Sequence, residues 1–323
     1  MIKDFFYFIV IILTKTIIDL FRSFGSIIIF GFILYVLSSI TRRIFAKTLG
    51  SKTEVYITGW IGTPIHELSH ALFCLLFKHK INDIKLFNTK SDTIGYVLHS
   101  YDSRSWYQQM GNFFIGVGPI IIGTLIVYLL FILLAPELKN NIFEIPSIKY
   151  KQVFNSDILS IFYYTISNIF VYTYNIFINI IKNVVEYSSF KNITFWIFLY
   201  LSIAIASHME LSPADISHAS KGIIVIFALS LILNTIFIIL KVFLKFDIPI
   251  FINHFFNRIL ETYNMLLIFS AIISLFNFLI SYIILTPINL IKNRRINQSI
   301  YKLIKTYINS QEHYKNKRIG WYK

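Results

Sequence analysis

Gly59-Trp-Ile-Gly62-Thr-Pro64-Ile-His66-Glu67-Leu-Ser-His70-Ala-Leu-Phe-Cys74-Leu-Leu-Phe77 decides how the rest of this chain is read. On a helix, side chains four apart share a face, so His66 and His70 offer two imidazoles to one metal ion. Glu67 lies about 100° round from His66, near enough to accept a proton from a reacting water without being a ligand itself. Around these three residues the stretch is apolar enough to lie in a membrane. An ionisable side chain in the middle of a span costs on the order of 2.5–3.5 kcal/mol even on insertion scales. Three titratable groups within five residues therefore imply a partner that offsets the cost, and a divalent cation is such a partner.

Chance is a poor explanation. The chain has 323 residues with 8 His and 8 Glu, and random placement gives His-Glu-x-x-His in roughly five of a thousand such chains. The alternative, a coincidental pair of core histidines, leaves the buried carboxyl unexplained. HExxH on a helix is the zinc-hydrolase signature, with the histidines as ligands and the glutamate as base.

Composition places the motif in a membrane protein. Mean hydropathy is +0.65, 56% of residues are hydrophobic and only 14% are charged, against about 25% charged in a soluble domain. The formal charge of +14 raises nucleic acid as a partner. However, the Lys and Arg residues are spread through loops and the tail, as in cytoplasmic loops facing anionic lipid. Nucleic-acid binding is therefore set aside. Cys74 is the only cysteine, which excludes an internal disulfide. It follows His70 by four residues on the same face, where a further ligand and a small buried residue both fit; the second is the favoured reading. The apolar stretch Phe5–Leu13 lacks a small-residue cleavage site and runs into Lys15 and Asp19, so no cleavable signal is expected. The expected location is a bilayer crossed several times, a bacterial cytoplasmic membrane.

Outward from the motif, Thr63-Pro64 predicts the helix start and Lys78-His79-Lys80 its end. Residues 81–105 carry two short alternating stretches, Ile81–Leu86 and Ile94–Leu98, around a polar turn, and predict a β-hairpin. Such a hairpin serves equally well as a plain connection or as an edge for an extended substrate. His99 and Asp102 read as surface residues. Met110–Leu134 predicts a span whose Gly111, Gly116 and Gly118 allow close helix contact; Asn112 is placed to hydrogen-bond the motif helix or a substrate, or simply to pack. The expected organisation is N-terminal membrane helices over 1–55 (4–22 amphipathic, 26–40 closed by Arg42 and Arg43), then a membrane core over 56–245 with an interfacial insert at 136–190. A C-terminal membrane-helix region over 246–291 and a basic tail over 292–323 complete it. The fold class is an all-α polytopic membrane protein with about six transmembrane helices, interfacial helices and a small β-hairpin.

A catalytic zinc takes three protein ligands and keeps one position open. The polar segment between two later apolar helices supplies the candidates His208, Glu210, Asp215 and His218. Ser212-Pro-Ala-Asp215 also has the form of a helix N-terminus, with Asp215 three residues after a serine cap. A ligand in a first turn is held rigidly, and Asp215 is the favoured third ligand.

These pieces together resemble the site-2 protease family of intramembrane zinc metalloproteases: His66-Glu67-Leu-Ser-His70 in a membrane helix, a small-residue span opening Gly111-Asn112, and a later Pro213-Ala-Asp215. The resemblance covers roughly residues 56–135 and 205–245. It implies Zn2+ held by His66, His70 and Asp215, Glu67 as the general base, and a membrane protein or peptide as substrate. The family's asparagine-proline and Asp-Gly elements are replaced here by Leu-Ser-Pro-Ala-Asp-Ile, and no PDZ-like insertion is present. A non-catalytic metal-binding membrane protein is the alternative. A transporter component would call for internal repeats, which the sequence lacks.

Overall fold

The computed structural model describes residues 2–50, 52–90, 94–139, 158–186, 189–244 and 250–319. It is mostly helical. Helix α1 is Ile2–Thr48, α2 Trp60–Leu76, α3 Trp106–Leu134, α4 Ile158–Glu186, α5 Ile193–Ala206, α6 Pro213–Leu244 and α7 Ile250–Ile319. Strands β1, Lys80–Lys85, and β2, Tyr96–Ser100, form an antiparallel two-stranded sheet between α2 and α3. Ile81 stands opposite His99 and Ile84 opposite Val97, with a bulge between Ile81 and Asp83.

Among the described residues, four helices are long and apolar enough to cross a membrane, over Phe6–Thr48, Trp106–Leu134, Pro213–Lys241 and Phe255–Asn293. The expected figure of about six is not confirmed on length. The motif helix α2 has 17 residues and α5 has 14, short of the roughly 20 that a bilayer core requires. Large apolar side chains such as Leu129, Leu133, Ile224 and Phe243 are exposed along α3 and α6, an outward face suited to lipid and not to water.

The N-terminal region differs from the expected pair of helices. α1 runs through Lys15, Asp19 and Arg22 without a break, and Asp19 and Arg22 have partners on other helices. Asn234 of α6 donates to both Thr16 and Asp19 at 3.1 Å, and Arg22 donates to Asn257 of α7 at 3.1 Å. The expected C-terminal membrane-helix region over 246–291 forms, from Ile250 on, the single helix α7, which continues through the basic segment to Ile319. Residues 159–186 of the interfacial insert form α4, whose Asn183 donates to the Leu138 carbonyl at 2.9 Å. Residues 140–157 of the same insert lie outside the described residues.

Helix α3 is the hub. Its Phe113, Val117, Ile120, Val127 and Phe131 pack with Leu34 of α1, Phe198 and Ile205 of α5, and Leu267 and Ile268 of α7. Lipid is as apolar as these side chains, so association in a bilayer relies on close backbone approach and interhelical polar contacts. Two glycines provide that approach between α3 and α6. A Cβ on Gly222 would fall on the Phe113 backbone nitrogen, and one on Gly116 would fall on the Asp215 carbonyl oxygen. This crossing carries the start of α6 to the flank of α2.

Candidate metal centre

The motif helix begins earlier than Thr63-Pro64. A single π-helical turn, Val55–Gly59, leads into α2 at Trp60, and Pro64 lies inside the helix. His66 and Glu67 consequently sit in the second turn, and the two imidazoles lie one above the other, as residues four apart must.

Each imidazole is oriented by a backbone carbonyl. His66 Nδ1 is 2.6 Å from the His208 oxygen and His70 Nδ1 is 2.7 Å from the Ile115 oxygen. A carbonyl only accepts, so both Nδ1 atoms donate, and in the neutral rings both Nε2 atoms carry lone pairs. The Ile115 carbonyl is free for a reason written in the sequence. Its ordinary helical donor would be the N–H of the residue four on, which is Pro119, inside α3, and proline has none. We expect Pro119→Ala to restore the helical hydrogen bond, compete with His70, and weaken metal binding by about 10- to 100-fold while the helix persists. Chelator competition against the wild type measures this.

Asp215 stands at the third position of α6. Ser212 caps the helix: the Asp215 N–H donates to Ser212 Oγ at 3.2 Å and the Ser212 N–H donates back to Asp215 Oδ2 at 2.7 Å, the reciprocal pair of a capping box. The fixed carboxylate then reaches α2. Asp215 Oδ1 is 3.2 Å from His70 Nε2, and Oδ2 is 3.6 Å from His66 Nε2. The two Nε2 atoms are 3.1 Å apart. Two lone pairs and an anionic oxygen are thus aimed at one another in a buried place. That arrangement requires a positive charge among them, a cation or an added proton. Two imidazoles and a carboxylate suit a divalent transition metal, and ligand atoms of His66, His70 and Asp215 all lie within 4.8 Å of one another.

Glu67 is buried beside this group without belonging to it. Gly95, just before β2, is pressed against it: a Cβ there would come 2.7 Å from Glu67 Cγ and 2.9 Å from its Oε1. The hairpin therefore passes directly over the motif carboxyl. Asn112 does not hydrogen-bond α2. It is almost fully buried, and among the described residues neither its amide oxygen nor its nitrogen has a partner.

The other third-ligand candidates have different surroundings. His208 and Glu210 meet a group that sequence reading missed. Arg42, near the end of α1, contacts Glu210 and lies 3.8 Å from Glu54, which is 3.6 Å from His208 Nε2. This cluster fastens the α5–α6 connection, and with it the His208 carbonyl that holds His66. Only the oddity of an acid at the end of a polar segment could have flagged Glu54. His218 and His99 lie together, with ring centroids 4.9 Å apart. His99 is thus not the surface residue expected, whereas Asp102 is exposed.

Comparison of the whole chain with protein-family models, with curated proteins and with solved structures finds no match.

Proposed function

We propose that this chain is an intramembrane zinc metalloprotease of the site-2 protease type, hydrolysing peptide bonds of membrane-associated polypeptides. The observation that carries the reading is the convergence of His66, His70 and Asp215 beside a buried Glu67 that joins no ligand set. Zinc held by those three residues supplies Lewis acidity and makes water nucleophilic at neutral pH. The chain's own contribution is the rest. Glu67 accepts the proton of the attacking water as its oxygen bonds to the scissile carbonyl carbon. As the C–N bond breaks, Glu67 passes that proton to the departing amine.

A substrate helix has no free backbone donors and unwinds locally before it is cut. Among the described residues β2 pairs with β1 alone, so β2 keeps a second edge that suits such an extended segment. The buried amide of Asn112, without a hydrogen-bond partner among the described residues, suits a substrate backbone group; left unmade, such a bond costs about 1–3 kcal/mol.

The test is cleavage of single-span polypeptides by the purified protein in liposomes. Activity is expected, with complete loss on chelation and recovery on adding zinc. Metal-loaded protein that leaves both unfolded and single-span substrates intact would favour the non-catalytic metal-binding reading instead.

A further inference from the structure

A second set of metal-ligating side chains lies at the far end of α2 and takes no part in the chemistry above. Cys74 is fully buried in the last turn of that helix. The helix closes in a Schellman motif: Lys78 adopts φ 58°, the Lys78 N–H donates to the Leu75 carbonyl at 3.1 Å, and the His79 N–H donates to the Cys74 carbonyl at 2.8 Å. Glycine normally takes the left-handed position, and a lysine there costs roughly 1 kcal/mol. The reversal sends the chain back over the helix end and sets His79 beside Cys74.

His79 is held on two sides. Its Nε2 lies 2.7 Å from the Gln108 carbonyl oxygen, so that nitrogen donates, and its ring stacks on Tyr101 with centroids 5.1 Å apart. The Nδ1 lone pair is thereby exposed to the interior, 3.1 Å from His99 Nδ1. His99 arrives from β2. Strand alternation puts it on the same face as Val97, which packs on Phe73, Cys74 and Phe77. Ligand atoms of Cys74, His79 and His99 all lie within 4.8 Å of one another. His218, its ring centroid 4.9 Å from that of His99, brings a buried Nδ1 without a hydrogen-bond partner among the described residues. The orientation of His79 repeats that of His66 and His70: one ring nitrogen tied to a backbone carbonyl, the other directed at a shared point.

We propose that Cys74, His79 and His99 form a second zinc site, with His218 the imidazole available to complete four-coordination, and that it is structural. It fastens the hairpin to the C-terminal end of α2, and so sets where Gly95 crosses Glu67. The donor set selects the metal class. A thiolate with imidazoles favours zinc and disfavours magnesium or calcium, which take oxygen. The site needs neither His66 nor Asp215 and stands whether or not the protein is a protease.

Cobalt substitution of the full chain in detergent tests it, because only this site can give a thiolate-to-cobalt charge-transfer band. Wild-type protein is expected to bind two equivalents of cobalt and to show the band. Cys74→Ser and His79→Gln should each lose one equivalent and the band while the first site stays loaded. His66→Ala should keep the band, which separates a failure of the first site from a failure of the second. Wild-type protein that holds cobalt without the band, or a Cys74→Ser protein that holds as much metal as wild type, would overturn the proposal.

Discussion

Glu67→Gln is expected to bind zinc as tightly as wild type and to lose about 10²- to 10⁴-fold in turnover, the usual contribution of a general base. The substitution is chosen for what it preserves. Glutamine has the same reach, so the contact between Gly95 and the Glu67 side chain survives, and with it the path of the hairpin. The two imidazoles keep their carbonyl partners on His208 and Ile115. Only the capacity to take and return a proton is removed. Steady-state cleavage and metal content, measured on the same preparation, separate the outcomes. Retained zinc with collapsed turnover supports the assignment. Turnover at the wild-type level means that another group moves the proton.

The second large effect concerns Asp215, which has two roles: it caps α6 and it faces both histidines. Asp215→Asn separates them. An amide oxygen can still accept from the Ser212 N–H, so the cap persists and folding stability should change by less than about 1 kcal/mol. The anionic oxygen is lost, and zinc affinity at this centre should fall about a hundredfold or more, beyond the effect of losing a supporting contact. The titration is made in a Cys74→Ser background so that this centre alone reports. Unchanged affinity would remove Asp215 from the ligand set, and the convergence of α2 with α6 would then be a packing contact. A large stability loss with affinity intact would make it a cap alone.

How much of this was legible beforehand depends on whether the deciding partner lies nearby in sequence. His66, Glu67 and His70 are related by one turn of helix, so periodicity alone places them together. Ser212 and Asp215 form a local capping pair, and the same spacing shows both the cap and the rigidity of a carboxylate in a first turn. Gly116 reads as a close-contact position, although the identity of the opposing atom, the Asp215 carbonyl, does not. Partners distant in sequence were invisible. Residues 4–22 read as amphipathic because Asn234 and Asn257, which bond Asp19 and Arg22, lie on other helices. Nothing near Glu54 in the chain points to Arg42 and His208, which close on it only in three dimensions. His99 looked exposed because nothing near it shows that β2 folds back over the end of α2. The Pro119 effect was readable in principle: a proline four residues after Ile115 frees that carbonyl, but what it binds depends on how α3 meets α2.

The whole functional reading turns on whether α2 and α6 hold one cation jointly. Anomalous diffraction at the zinc edge from crystals of the zinc-loaded protein tests it most directly. A peak is expected within about 2.0–2.2 Å of His66 Nε2, His70 Nε2 and an Asp215 oxygen at once. A peak served by the histidines without Asp215, or no peak between the two helices in protein that carries zinc, would contradict it.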